Sequence, residues 1–158
     1  MSLKKNKYAE YIRDITALGN PFILLLFTIV ALSLSPSFYQ HLLIIVLTFL
    51  VNECLCSGIK YIWHKPRPNQ QSFSNAFEKI DAGSFPSIHS SRIILVYGYL
   101  SYIHLAVLEN PYVGYLLALF ILLVGYSRIF LKKHFLTDVI AGYLIGIVQL
   151  ILLVIYIL

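Results

Sequence analysis

From residue 21 to the C terminus, long apolar runs alternate with short polar breaks. The runs cover about Pro21–Ser35, His41–Ile62, Pro86–Leu108, Tyr112–Leu131 and Phe135–Leu158. A helix of about 20 residues crosses the hydrocarbon core of a bilayer, so each run reads as a membrane span, the first being short for the task. Ahead of them the pattern changes. Tyr8, Tyr11, Ile12, Ile15 and Leu18 recur at helical spacing, and Lys7, Glu10, Arg13 and Asp14 take the other face. That predicts an amphipathic helix over residues 4–19, lying in the membrane interface. Gly19 can end it, and Asn20-Pro21 supplies a cap and a first-turn proline. The basic start at Lys4, Lys5 and Lys7 is not followed by the short apolar core and small-residue cleavage site of a secretory signal. Turns are expected at Pro36–Tyr39 and Glu109–Pro111. The long polar connection, residues 64–85, holds Asn75 and Glu78 at capping-box spacing, with Gly83 placed to end a short helix. Phe73, Phe77 and Ile80 would face the membrane. The expected fold is all-α: an antiparallel integral membrane bundle of about five transmembrane helices. Residues 1–19 form the interfacial helix and residues 20–158 a single transmembrane domain.

Composition strengthens this. Apolar residues make up 59% and charged residues 12% of the 158, and the mean hydropathy is +0.79. A soluble domain is about half apolar and a quarter charged, and disorder needs low hydrophobicity. Both classes are excluded, and no room is left for a sizeable water-soluble domain. The net charge of +5 therefore points to loop charges that set orientation and to cations around an anionic substrate, not to nucleic acid. Cys54 and Cys56, two apart on a helix, point to nearly opposite sides; they imply no disulfide and no metal site.

The alternation of spans brings certain helix ends to one membrane side. Lys60, Arg67 and Pro68 close the second span, Ser87 and His89 open the third, Ser127 and Arg128 close the fourth, and His134 and Asp138 open the fifth. Ionisable groups at membrane depth are expensive and mark function by default. Lys60, Arg67 and Arg128 can surround a phosphate, which guanidinium forks suit well. No Asp, Glu, His or Cys cluster has metal-ligand spacing, so side chains would neutralise the phosphoryl charge. His134 and Asp138, one turn apart, share a helix face; a carboxylate behind a histidine fixes its tautomer and prepares it as nucleophile or base. His89, near a helix N-terminus, can act as general acid toward a leaving oxygen.

These residues carry a resemblance. Lys60-Tyr-Ile-Trp-His-Lys-Pro-Arg67-Pro68 resembles the K-x6-R-P signature of the type 2 phosphatidic acid phosphatase family, in the haloperoxidase-like superfamily. Pro86-Ser87-Ile88-His89 resembles its P-S-G-H, and Ser127-Arg128 through His134 to Asp138 its S-R-x5-H-x3-D. The resemblance implies that His134 attacks phosphorus, Asp138 orients it, His89 protonates the leaving alkoxide, and Lys60, Arg67, Ser87, the Ile88 backbone and Arg128 hold the phosphate. It implies a lipid phosphatase acting without cofactor or metal through a phosphohistidine, on phosphatidylglycerol phosphate, phosphatidate, or a polyprenyl phosphate or diphosphate. Two features depart from the family: Ile88 replaces its glycine, and the five spans are fewer than the six of many members. A phosphate-binding transport protein and an inactive lipid-binding member are the alternatives.

The remaining residues are read more plainly. Glu53 supports Lys60 or helix packing, and Arg92 touches headgroups or snorkels. His64 and Lys65 are interface residues, and His41 and His104 have no role. Gly142 and Gly146 pack helices. Tyr61, Trp63, Tyr112 and Tyr126 form an aromatic belt. Lys4, Lys5, Lys7, Arg13, Lys65, Lys79, Lys132 and Lys133 all fall on the site side, and residues 36–40 and 109–111 contain no Lys or Arg. That bias predicts a multi-pass cell-membrane protein with its site facing the cytoplasm.

Overall fold

The computed structural model describes residues 2–33, 37–108 and 111–156. Seven helices follow in order: α1 Ser2–Ala17, α2 Pro21–Leu32, α3 Phe38–Ile62, α4 Ala76–Ala82, α5 Ile88–Leu108, α6 Pro111–Phe130 and α7 Leu136–Tyr156. No strand occurs among the described residues, and the fold is an all-helical membrane bundle. The expected turns at Pro36 and at Glu109–Asn110 lie outside the described residues.

Local chemistry sets the helix ends. Asn20 Oδ1 accepts the Phe22 N–H at 2.9 Å, and Pro21 opens α2, so the chain bends by 57° between α1 and α2. The first expected span starts at Pro21 as read from the sequence. α2 has 12 residues, about 18 Å of helix, too short to cross the roughly 30 Å core alone. Among the described residues, three helices are long and apolar enough to cross (α3, α6 and α7), or four if the bent pair Glu10–Ala17 and Pro21–Leu32 forms one span. The polar connection forms the short helix α4. Its cap Asn75 Oδ1 accepts the Glu78 N–H at 2.8 Å, and the Glu78 carboxylate accepts from Ser74 N–H and Oγ at 2.7 Å each.

α5 is the hub. It packs against α6 and α7 along its length and also against α3 and α2. Ile93, Leu95, Tyr97, Tyr99 and Leu100 are fully buried on it. Its neighbours shield it from lipid, so it tolerates His89, Arg92 and several serines in a way that a lipid-facing helix would not. The outer faces of α3, α6 and α7 expose Leu43, Leu47, Leu50, Leu119, Leu122, Leu144 and Ile151. Two glycines make the α5–α7 contact possible. A Cβ at Gly142 would stand 2.4 Å from the Ser87 carbonyl oxygen, and one at Gly146 2.7 Å from that of Ser91. The small-residue pair is helix packing, and it draws the start of α5 onto α7.

Candidate functional site

The polar connection folds back on itself. Pro66 and Gly83 form an antiparallel bridge, and Ser84 N–H donates to the Lys65 carbonyl at 2.7 Å. Ser84 Oγ contacts the Lys65 and Pro66 carbonyls at 3.1 Å each. This clamp aims the first two cations. Lys60 Nζ donates to the Gly83 carbonyl, and Arg67 Nη2 donates to the Asp81 carbonyl, with Asp81 Oδ1 at 3.7 Å. Burial lowers the pKa of Arg67 from its ordinary value, and Asp81 opposes that shift.

A second turn brings in the third cation and the second histidine. α6 ends in a Schellman motif: Lys133 N–H reaches the Arg128 carbonyl at 3.0 Å and Lys132 N–H that of Ile129 at 2.9 Å. Lys132 takes the left-handed conformation there, φ 53°, where glycine is usual. The tight reversal returns His134 N–H to the Arg128 carbonyl at 3.2 Å. Arg128 Nη2 then stands 3.5 Å from His134 Nε2.

His134 is 2% exposed, and its Nδ1 lies 2.7 Å from the Ser84 carbonyl oxygen. A carbonyl only accepts, so Nδ1 carries the proton and Nε2 keeps its lone pair. Burial, then Arg128, Lys60 and Arg67, push the imidazole down from its ordinary value to about 2. The ring is neutral at physiological pH, with its Nε2 lone pair turned toward Arg128. Lys60, Arg67, Ile88, His89, Arg128 and His134 line one cavity of about 460 Å³. Arg67 Nε and Arg128 Nε are buried there without a hydrogen-bond partner. Buried donors are normally paired, so the cavity is shaped for an anion.

The PAP2 superfamily matches residues 41–158. The chain belongs to the PAP2 superfamily. It also resembles the crystal structure of the first transmembrane PAP2 type phosphatidylglycerolphosphate phosphatase from Bacillus subtilis. The TM-score is 0.76 at 26% identity, covering 92% of this chain and 74% of that one.

Several details of this PAP2 site differ from the expectations. Ser87 stands behind the wall: it is fully buried, its N–H donates to the Asp138 carbonyl at 2.9 Å, and its Oγ accepts from Ser90 at 2.9 Å. Ile88 lines the cavity in its place. The hydrogen-bond partner of His134 is the Ser84 carbonyl, with Asp138 Oδ2 farther off at 3.9 Å. Asp138 is fully buried and serves other groups, Thr137 Oγ1 at 3.4 Å among them. Its Oδ2 accepts the Phe135 N–H at 2.9 Å, a reach-back cap at the start of α7, and its Oδ1 pairs with Lys65 Nζ at 2.6 Å. Lys65 is thus the ion-pair partner of Asp138, a role that was not read from the sequence. Glu53 pairs with Arg92 through both oxygens and leaves Lys60 to Gly83. Gln71 and Asp81 also line the cavity and were not read from the sequence, where loop residues carry no periodicity; Lys133, read there only as a loop charge on the site side, lines it too. His41 Nδ1 bonds Tyr99 OH at 2.7 Å, away from the cavity, and Cys54 and Cys56 are free.

Proposed function

We propose that this PAP2 chain is an integral membrane phosphatase that hydrolyses a lipid phosphomonoester or diphosphate through a phosphohistidine, without metal. The observation that carries the reading is His134: Nδ1 held by a backbone carbonyl, Nε2 unprotonated, in a cavity lined by Lys60, Arg67 and Arg128. His134 Nε2 bonds to phosphorus as the P–O bond to the leaving oxygen breaks. That oxygen takes the electron pair and, if it is an alkoxide, a proton from His89. Water then attacks phosphorus as the P–Nε2 bond breaks and frees phosphate. Its proton goes to the His89 that the alkoxide emptied, or, in the diphosphate case, where His89 starts neutral, to His89 and on to solvent. The cations balance charge on the equatorial oxygens.

A lipid substrate is supported by what adjoins the cavity. An apolar groove of about 230 Å³ between α2, α3 and α5 is lined by Phe22, Leu25, Ile45, Phe49 and Val96. The Arg92 guanidinium, which lines the polar cavity, lies 5.5 Å from the Phe49 ring centre. Headgroup and acyl chain thus have adjoining places. The Bacillus subtilis neighbour makes phosphatidylglycerol phosphate the first substrate to try. Purified protein, with chelator present, should release phosphate from lipid phosphates at an undiminished rate. No release from any lipid, or loss in chelator with recovery on magnesium, overturns the proposal.

The charge bias favours a cytoplasmic site. In intact cells, after Cys54 and Cys56 are replaced, an impermeant thiol reagent should spare a cysteine introduced at Ser72 and label one at Asn110. The reverse pattern reverses the orientation.

A further inference from the structure

A second cavity, of about 450 Å³, shares part of its lining with the first. His89, Arg128 and Lys133 line both cavities, whereas His134 lines only the first. The second is completed by Arg13 and Asn20 from the N-terminal segment and by Asn69 from the loop. Among the described residues no carboxylate lines it, although Glu10 and Asp14 sit on the same helix as Arg13. The walls are anchored: Thr16 Oγ1 and Ser127 Oγ hydrogen bond at 2.6 Å, and Asn69 N–H donates to the Lys132 carbonyl at 3.2 Å. Arg128, only 7% exposed, has its Nε unpartnered at this boundary. Three cations thus converge on a space that the transferred phosphoryl group does not fill.

In-line displacement says what belongs there. Attacking and leaving atoms stand on opposite sides of phosphorus. With His134 in the first cavity and His89 at the boundary, the leaving group departs toward the second. We propose that this cavity is a subsite for a second phosphate carried by the leaving group, so that the enzyme prefers lipids whose departing portion is itself phosphorylated. Two lipid classes have this chemistry: a glycerophospholipid whose terminal phosphomonoester is linked through a phosphodiester, and a lipid diphosphate cut at its outer phosphorus. In the first, the P–O bond breaks to an alkoxide that takes the His89 proton; in the second, the departing lipid monophosphate leaves with the electron pair and needs no proton. Phosphatidate, whose leaving group is neutral diacylglycerol, would leave the subsite empty. The apolar groove lies close by, because Asn20 lines this cavity and the next residue, Pro21, lines the groove. This assigns the N-terminal helix a role in substrate choice through Arg13.

The inference rests on the phosphatase reading, and the test separates the two. Full-length protein in mixed micelles is given four substrates: phosphatidylglycerol phosphate, phosphatidate, a polyprenyl diphosphate and a polyprenyl monophosphate. The readout is the ratio of kcat/KM for each doubly phosphorylated lipid over its singly phosphorylated partner. Wild type should favour the former. Because Arg13 is exposed, Arg13→Gln should lower the ratio about threefold and Arg13→Glu about tenfold, while Arg13→Lys retains it and added salt blunts all three differences. A fall for only one pair identifies which of the two lipid classes the subsite serves. Equal losses on all four substrates, or a changed inhibition constant for free phosphate with unchanged ratios, overturns the subsite and leaves the phosphatase standing. If none of the four is hydrolysed, the phosphatase reading falls and the subsite with it.

Discussion

His134→Ala should abolish turnover while the bundle stays folded. In a site that works as a unit, loss of the nucleophile costs about 10⁴-fold or more in rate. Two observations support the proposal that His134 is this group. Its Nδ1 is committed to the Ser84 carbonyl at 2.7 Å, so only Nε2 is open to a phosphorus atom. Burial and the surrounding cations hold the ring neutral, so no proton must leave before attack. Rapid acid-free quenching with labelled lipid should trap phosphate on wild type, stable in base and labile in acid, and should trap none on His134→Ala. The side chain is small and internal, and removing an imidazole beside three cations leaves the helix contacts in place. A variant that turns over at near wild-type rate would end the covalent mechanism.

Lys65→Met should give the largest loss of stability among changes that leave the proposed reacting groups intact. Asp138 is fully buried, and Lys65 Nζ is 2.6 Å from its Oδ1 and 3.1 Å from Thr137 Oγ1. The lysine also stands 4.7 Å from the Phe135 ring centre. Removing one member of a buried pair strands the other and costs about 3–5 kcal/mol. Lys65 is 32% exposed on its side chain, so solvent screens part of that and about 2 kcal/mol is expected. Thermal unfolding in detergent reads the loss. The double variant Lys65→Met with Asp138→Asn should recover much of it, because the stranded charge is gone and only the cap is weakened. A Lys65→Met melt within about 1 °C of wild type would show that the pair contributes little.

Much was legible in the chain because the rules involved are local. Apolar run length announced α3, α5, α6 and α7, since each must hide its backbone in helix and its side chains in lipid or protein. Asn20-Pro21 and Asn75–Glu78 marked helix starts by capping chemistry. The alternation of spans assigned Lys60, Arg67, His89, Arg128 and His134 to one end of the bundle, because counting crossings is enough to fix sides.

What the tertiary structure decided were contacts between segments far apart in sequence. Asp138 and His134 share a helix face by spacing, which made Asp138 the obvious partner of the ring. The loop clamp instead delivered the Ser84 carbonyl, 50 positions away, to Nδ1, and Lys65, 73 positions away, to Asp138. A backbone carbonyl has no side-chain identity, so nothing in the letters of the sequence could single it out. The 57° bend that joins α1 to α2 was likewise set by how the chain turns, which hydropathy does not register. Sequence alone determined the class of the protein, its membrane setting and the inventory of its charges, because these depend on composition and helical period. Which charge meets which partner was decided only when packing on α5 brought the helix ends together, because pairing energy depends on distances that no one-dimensional spacing encodes.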